Sequence, residues 1–210
     1  MRTFLLFLFL SIVFVAVSQD LNHQEQIMKA QNSAVIFSAS WSTAIPMGEL
    51  TSYSRMSSGR GFQFELNQVV NEKWTYGGTI GWQAFFDINE VWYISENSVI
   101  SGIRRNYINS LAFLGNTKYY FSTSVNGIKA YLSLDIGATV IENYEIFGLY
   151  KYRELEWHYT MVPGLGIDIP ATEKLGFQIY FKYPNSFKNN SSIHYSWLNT
   201  GAGIYLKILD

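Results

Sequence analysis

The 210-residue chain carries 15 basic and 16 acidic residues, so it offers no excess of positive charge for binding nucleic acid. Only 15% of the residues are charged and 17% are aromatic, whereas soluble domains average about 25% charged residues. The sequence contains no cysteine, which excludes disulfides, cysteine metal ligands and lipid attachment through a cysteine thioether.

The N-terminus has the pattern of an export signal. Arg2 precedes an apolar run, Phe4–Val15, which ends in small residues. This run is shorter than the roughly 20 residues that a membrane-spanning helix needs, which makes a transmembrane anchor the weaker alternative. We therefore predict a signal peptide over residues 1–18, a polar periplasmic segment over 19–33, and one β-rich domain over 34–210.

Clusters of glycine, asparagine, proline and serine divide the rest of the chain into eight candidate strands. The strands are predicted at 34–45, 61–70, 74–86, 105–121, 128–141, 156–169, 175–183 and 194–208. Short turns alternate with longer loops, which are predicted at 46–60, 87–104, 143–155 and 184–193. Such an alternation of turn lengths is typical of barrels that cross a bacterial outer membrane, and an even strand number returns both termini to the same side.

Residues 128–140 show most clearly how each strand divides its side chains between two faces. The apolar positions are Ile128, Ala130, Leu132, Leu134, Ile136, Ala138 and Val140. The positions between them are Lys129, Tyr131, Ser133, Asp135, Gly137 and Thr139. Because successive strand side chains point to opposite faces, one face is apolar and the other is polar. In a soluble barrel or sandwich the apolar face would fill the core, whereas in a membrane barrel it faces lipid.

Two features of the strands favour the membrane orientation. The polar face is rich in glycine, which suits a narrow lumen where side chains crowd the backbone: Gly77, Gly81, Gly137, Gly164, Gly166, Gly176, Gly201 and Gly203. Aromatic residues gather at the strand ends as interfacial girdles: Trp74, Tyr76, Tyr119, Tyr120, Phe121 and Phe177 near the short turns, and Phe86, Trp92, Tyr152, Trp157, Tyr159, Phe181, Tyr183, Tyr195 and Trp197 near the long loops. We therefore predict an all-β fold, an eight-stranded antiparallel up-and-down transmembrane β-barrel.

Two strands carry irregular patterns. In the fourth strand, either Leu111 and Phe113 or Ala112 and Leu114 could be the lipid-facing pair, which predicts a bulge or a change of register. Pro163 lies inside the sixth strand and has no N–H to donate. Because an unmade hydrogen bond is costly in lipid, we predict a bulge or bend at residues 162–164.

Five segments resemble the small outer-membrane β-barrel family of Gram-negative bacteria, the eight-stranded kind that includes OmpA- and OmpX-like barrels. The segments are Ser42–Gly48, Lys118–Phe121, Ala130–Ala138, Pro163–Gly166 and Gly203–Ile208. The last of them resembles the C-terminal strand signal that the barrel-assembly machinery reads, although Leu209–Asp210 follows where the family has a terminal aromatic residue. The resemblance implies a fold and a location in the outer membrane rather than an activity.

The polar face carries charges that would lie inside such a barrel. The predicted polar network of the lumen consists of Glu65, Lys129, Asp135, Asp168, Lys182 and Lys207. Because buried charges are tolerated only when they are paired, three acids and three bases predict a neutral network that fills the lumen. A proton or ion path is the alternative, which the narrow interior of eight strands disfavours. The sequence has no metal-ligand spacing and no phosphate or dinucleotide motif, so we predict no metal and no cofactor.

One group of residues fits hydrolytic chemistry. His194 and Ser196 share a strand face, and Glu154 or Glu156 is the candidate acid for a serine nucleophile. Such a trio resembles the arrangement in barrel enzymes that deacylate lipid A, and residues 158–160 offer a weaker version. Such spacing arises easily by chance, and we predict no enzymatic activity.

The sequence thus predicts an exported outer-membrane barrel with a structural or surface-interaction role for its long loops. Three alternatives remain: a small-solute channel, a barrel that binds a hydrophobic ligand, including a secreted lipocalin-like one, and a lipid A-modifying hydrolase. The expected partners are outer-membrane lipids, lipopolysaccharide and the barrel-assembly machinery. We expect a monomer and no nucleic acid.

Overall fold

The computed structural model describes residues 34–95, 98–121, 127–187 and 193–209. The predicted signal peptide and the polar segment that follows it lie outside these residues. Among the described residues, no helix is long and apolar enough to cross a membrane.

Nearly all of the described residues lie in strands. The elements are β1 (Ala34–Met47), the 3-10 helix η1 (Gly48–Ser52), β2 (Ser58–Val69), β3 (Trp74–Ser95), β4 (Ser98–Tyr120), β5 (Lys129–Phe147), β6 (Tyr150–Pro170), β7 (Leu175–Lys182), β8 (Asn185–Ser186) and β9 (Tyr195–Leu209). Each long strand pairs antiparallel with its neighbour in the sequence, and β9 pairs with β1 to close the ring. The short β8 bridges β6 and β9 beyond the end of β7. The predicted eight-stranded up-and-down β-barrel is confirmed.

The two faces of each strand have opposite chemistry. In β5, Leu132, Leu134 and Ile136 point outward and are exposed, whereas Ser133 and Asp135 point inward and are buried. The same holds around the ring, so a band of exposed apolar side chains encircles the barrel. In water, a continuous apolar surface of this extent would associate with other apolar surfaces. Its presence therefore favours contact with lipid.

No bulge or change of register occurs in β4 or at Pro163 of β6, and the register shift occurs elsewhere. The β3–β4 and β4–β5 registers run without a shift, with Leu111 and Phe113 outward and Leu114 buried inside. The β5–β6 register also continues through Pro163, whose carbonyl accepts from Tyr183 N at 2.9 Å. No bulge is needed at Pro163 because β7 ends where the missing N–H would have paired. The register shift of the ring lies instead between β1 and β2, at residues 42–44.

Most of two segments that are predicted as loops lies in strands: residues 87–95 and 98–104 of the first, and residues 143–147 and 150–155 of the second. The β3–β4 ladder continues to Ser95–Ser98 and the β5–β6 ladder to Phe147–Tyr150, whereas β2 pairs with β3 only as far as Gly61–Gln83. Strands β3 to β6 therefore extend past the rest of the barrel as a four-stranded sheet, here called the projecting sheet (residues 84–95, 98–109, 142–147 and 150–159). The prediction of loops was wrong because the alternation of apolar and polar residues stops where the apolar band ends, whereas the hydrogen bonds between the strands continue beyond it.

Candidate functional site

Four charged side chains inside the barrel form one cluster, here called the ion cluster: Glu65 of β2, Lys118 of β4, Asp135 of β5 and Lys182 of β7. Lys182 Nζ lies 2.7 Å from Glu65 Oε1 and 2.7 Å from Asp135 Oδ2. Lys118 Nζ lies 2.5 Å from Glu65 Oε2. All four side chains are almost completely buried, and their formal charges cancel. Full pairing is what allows ions to remain charged in such surroundings.

Neutral side chains complete the hydrogen bonding of the two carboxylates. Ser38 Oγ and Gln63 Nε2 donate to Glu65 at 3.3 and 2.5 Å. Asn116 Nδ2 donates to Asp135 Oδ1. Charge-assisted hydrogen bonds of this kind are about twice as strong as neutral ones, so these donors help to fix the positions of the acids.

The structure brings together only part of the predicted lumen network. Glu65, Asp135 and Lys182 belong to the ion cluster, and Asp168 lies nearby, accepting from Tyr120 Oη at 2.8 Å. The two remaining members, Lys129 and Lys207, are partly buried and lie outside the ion pairs formed by the described residues. Lys129 is opposite Asp168 in the β5–β6 register, toward the end of the barrel with the short turns.

Sequence reasoning missed Lys118 as a member of the ion cluster. The Lys118–Phe121 segment was interpreted as a strand end, but Lys118 shares the inward parity of Asn116 and Tyr120. Its ammonium group lies 4.6 Å from the ring centroid of Tyr131, an arrangement that adds cation–π attraction to the ion pair. The parity of the strand was the available signal, but it was obscured by the ambiguity at residues 111–114.

Three tyrosine rings fill space above glycines on the inner wall. Each ring lies against the glycine directly across the ladder, and a Cβ on that glycine would come within 2.5 Å of ring atoms. The pairs are Tyr131 with Gly166, Tyr180 with Gly201, and Tyr205 with Gly176. The glycines of the polar face therefore make room for bulky side chains in a narrow lumen.

Toward the end with the long loops, an apolar cluster occupies the lumen. Leu50 of η1 is fully buried there against side chains from several strands: Ala44, Phe85, Ile108, Ile141, Tyr195 and Trp197. The loop that carries Leu50 is tied to the projecting sheet, because Arg55 N donates to Asp87 at 2.8 Å and Asn106 Nδ2 donates to Tyr53 O at 2.8 Å. The loop thus covers the mouth of the barrel.

The apolar cluster corrects part of the aromatic girdle assignment. Tyr195 and Trp197 are each 5% exposed and point into the lumen, as does Tyr120 at the opposite end. Exposed aromatic side chains do occur near both ends, among them Trp74, Tyr76 and Phe121 at one end and Tyr152, Trp157 and Tyr159 at the other. Inward and outward aromatic residues could not be separated from sequence because both faces carry them near the strand ends.

A small cavity of about 40 Å³ lies between the ion cluster and the apolar cluster. Asp135 and Lys182 line one part of it and Trp197 another. Thr139 Oγ1 and Gln83 Nε2 also border it and have no hydrogen-bond partner within the described part of the chain. A polar cavity of this size has room for a few water molecules, which would satisfy these atoms.

The residues of the hydrolase hypothesis do not assemble into a catalytic trio. Ser196 Oγ donates to the Met47 carbonyl at 3.3 Å, and His194 Nε2 is hydrogen-bonded to Asn185 Oδ1. A serine nucleophile needs a hydrogen bond from its hydroxyl group to a histidine ring nitrogen, which takes up the proton. The acid Glu156 lies instead 3.7 Å from His158 Nε2.

The weaker version of this trio is also engaged elsewhere. Thr160 Oγ1 is hydrogen-bonded to Ser186 Oγ at 2.8 Å, and His158 Nδ1 lies 3.1 Å from Phe187 O. Beyond these residues, on the same inner face of the projecting sheet, the Glu154 carboxylate raises the pKa of the Tyr152 phenol because a negative neighbour disfavours the phenolate. Among the described residues, no group of three or more acidic or histidine side chains is arranged to hold a metal ion.

A groove of about 440 Å³ lies on the outer face of the projecting sheet. Its lining consists of Tyr107, Asn109, Glu142, Tyr144, Ile146 and Arg153. Arg153 Nε lies 2.6 Å from Glu142 Oε1, and Asn109 Nδ2 donates to Glu142 Oε2 at 3.3 Å. The sequence analysis places Tyr107 and Asn109 in the fourth strand and the other four residues in or next to the loop 143–155, and it does not single them out.

Among known proteins, only solved structures match this chain, and they match in fold. No protein-family profile and no curated protein matches the sequence. Neisserial surface protein A matches with 14% identity and a TM-score of 0.50, over 83% of this chain and 96% of that chain. The attachment invasion locus protein Ail of Yersinia pestis matches with 9% identity and a TM-score of 0.48, over 84% of this chain and 98% of that chain. The N-terminal β-barrel domain of Pseudomonas aeruginosa OprF matches with 12% identity and a TM-score of 0.48, over 85% of this chain and 100% of that domain. With its closed ring of eight antiparallel strands, this chain has the fold of the small outer-membrane β-barrels.

Proposed function

We propose that this protein is an integral outer-membrane barrel with a closed lumen, which acts in the envelope through its surface rather than as a channel. Export by the predicted signal peptide over residues 1–18 and insertion by the barrel-assembly machinery are part of this proposal. So are the lipids and lipopolysaccharide of the outer membrane as its surroundings, and a monomeric state.

The exposed apolar band supports the membrane location. Large apolar side chains such as Phe64, Leu134 and Phe177 point away from the lumen on strands all around the ring. A soluble lipocalin-like barrel would place its apolar face inside and its polar face outside, which is the opposite of this arrangement. The backbone also suits lipid, because a closed ring leaves no unpaired sheet edge at the level of the band.

The filled lumen is the observation that carries the proposal. The ion cluster joins β2, β4, β5 and β7 across the interior through Lys182 and Glu65. The apolar cluster around Leu50 and Trp197 fills the next layer toward the long loops. A hydrated ion would have to displace paired charges and then cross an apolar layer, so the interior opposes both the channel and the hydrophobic-ligand alternatives.

The projecting sheet supports a role at the surface. Its inner face carries the Arg104–Glu145 ion pair and its outer face the Arg153–Glu142 pair. Strands that extend beyond the lipid band place polar side chains where other molecules reach them.

Membrane fractionation and planar-bilayer recording test the proposal together. The protein is expected to remain in the outer-membrane fraction and to migrate faster on a gel before heating than after it. The reconstituted folded protein is expected to give no stepwise ionic current, whereas a porin in the same bilayer provides the positive control. Steady open-channel currents from the folded protein would contradict the closed lumen, and solubility without detergent would contradict the membrane location.

A further inference from the structure

We propose that the groove on the outer face of the projecting sheet binds a saccharide, namely the headgroup of a glycolipid in the surrounding outer leaflet. This inference rests on the proposed outer-membrane location and adds a binding site with a defined ligand chemistry. It is carried by three observations: a row of aromatic rings, a polar set beside the row, and the position of both directly above the lipid-facing band.

The aromatic row crosses three strands of the projecting sheet. Phe86 of β3 is opposite Tyr107 of β4, which is opposite Tyr144 of β5. The ring centroids lie 4.6 Å apart for Phe86 and Tyr107 and 6.0 Å apart for Tyr107 and Tyr144. These outward rings are partly exposed and form an apolar strip, in which successive ring planes are tilted by 36° and 48°. Aromatic faces carry partial negative charge, so they attract the weakly positive C–H groups on one face of a sugar ring.

The polar set lies at one side of the row. Arg153 of β6 is opposite Tyr144, and its guanidinium is paired with Glu142, which also accepts from Asn109. The Arg153 side chain is 69% exposed, and its guanidinium has N–H donors besides the Nε–H that contacts Glu142. Asn109 and Glu142 add acceptor oxygens. Donors and acceptors next to an aromatic strip suit the hydroxyl groups of a saccharide.

The charge of the polar set favours a saccharide over a phosphate group. Arg153 is the cation within the groove lining, and Glu142 already neutralises it at 2.6 Å. Arg105 and Lys151, which are opposite Ile146 in the register, are exposed on the same face but lie outside the lining. A phosphate would have to compete with this carboxylate and would lie next to its negative charge. Neutral hydroxyl groups meet no such repulsion, and they can bond to the carboxylate and the guanidinium at the same time.

The position of the groove selects a lipid-borne ligand. From Asn109 toward the end with the short turns, the next outward side chains on β4 are Leu111 and Phe113. From Glu142 in the same direction, the next outward side chain on β5 is Val140. Two strand residues span about 7 Å, so the groove begins where the apolar band ends. A molecule in the groove is therefore at the depth of the headgroups of the same lipids that contact the band. A volume of about 440 Å³ is also within the range of small-molecule sites.

Binding of a defined oligosaccharide tests the inference. The full chain, folded in lipid nanodiscs, is titrated with the dephosphorylated core oligosaccharide of a rough lipopolysaccharide, and retention of the intact lipopolysaccharide is measured in parallel. Wild-type protein is expected to bind both, with the intact lipid bound more tightly. The Tyr144→Ala/Asn109→Ala variant is expected to bind the oligosaccharide at least about tenfold more weakly, since it loses both the ring and a polar contact.

A matched control is Tyr76→Ala. Tyr76 is also an exposed outward tyrosine with a side-chain partner, Gln68 Oε1 at 3.0 Å, but it lies near the short turns at the other end of the barrel. Its replacement is expected to leave binding unchanged. Equal affinities for wild type and the groove variant, or binding only to the phosphorylated saccharide, would overturn the inference. Gel migration before and after heating on the same samples shows whether each variant is a folded barrel, so a failure of the proposed location is distinguished from a failure of the site.

Discussion

The ring of Tyr180 lies against the backbone of Gly201 across the β7–β9 ladder: a methyl group on Gly201 would be 2.2 Å from Cζ of the ring. Tyr180 is fully buried, and its hydroxyl oxygen accepts from Ser40 Oγ at 3.3 Å. The ring therefore fills the space that a side chain at Gly201 would need. Two similar pairs repeat this arrangement on neighbouring strands.

Replacing Gly201 with alanine is expected to destabilise the barrel by about 1–3 kcal/mol, because the added methyl group overpacks the interior. Gly115→Ala is the control, since the nearest atom to its new methyl group is Ile136 O at 3.6 Å. Urea unfolding in lipid vesicles, followed by tryptophan fluorescence, measures both. In a Tyr180→Ala background the cost of Gly201→Ala is expected to vanish. A cost that persists there would show that the ring is not its cause.

Much of the barrel could be predicted from sequence because lipid favours apolar side chains at the outward positions of the band. A two-residue alternation, as in residues 128–140, therefore indicates both a strand and its orientation. Outside the band this preference no longer applies. Residues 143–155 have polar side chains on both faces, such as the inward Glu145 and the outward Arg153, so the pairing of β5 with β6 there left no alternation in the sequence.

Removing Lys182 is expected to be costly because Asp135 then loses its one ion-pair partner among the described residues, whereas Glu65 keeps Lys118. We expect Lys182→Met to reduce the free energy of unfolding by about 3–5 kcal/mol. Adding Asp135→Asn removes the unpaired charge and is expected to recover part of the loss. A double-mutant cycle in the same unfolding assay gives this coupling.

The control for the cluster is the exposed ion pair of the projecting sheet. Arg153→Met breaks the pair with Glu142, and a pair of this exposure contributes at most about 1 kcal/mol. Additive costs for Lys182→Met and Asp135→Asn would contradict the geometry of the ion cluster.

The contents of the lumen were harder to predict than its walls. The inward parity of Glu65, Asp135 and Lys182 could be read from alternation, but which acid meets which base depends on the stagger between strands, and this is not encoded locally. The apolar cluster had no sequence signal either. A buried Trp197 and an exposed Trp157 both lie near strand ends in similar aromatic surroundings.

Leu50→Ala is expected to loosen the loop that covers the mouth of the barrel. Removal of a fully buried leucine side chain costs about 2–5 kcal/mol, and here the cost falls on a local unit rather than on the barrel. Trypsin cleavage after the exposed Arg55 is expected to accelerate by about tenfold or more, with heat-modifiable migration retained. Met56→Ala, at an exposed side chain of the same loop, serves as the control and should cleave at the wild-type rate.

The lipid-facing orientation of the apolar band gives a depth-dependent prediction on one strand. Leu134 lies in the middle of the apolar face of β5, and Ile128 lies just before β5 beside a short turn; both are exposed. In lipid vesicles Leu134→Arg is expected to cost about 2–4 kcal/mol and Ile128→Arg about 0–1 kcal/mol, because the arginine at the turn reaches the interface. Unfolding by urea at fixed lipid composition measures the two costs. If the band faced water, arginine at either exposed position would be nearly neutral, so equal small costs would contradict a membrane-spanning barrel. A larger cost for Leu134→Arg than for Ile128→Arg is expected only if the middle of β5 lies deepest in lipid.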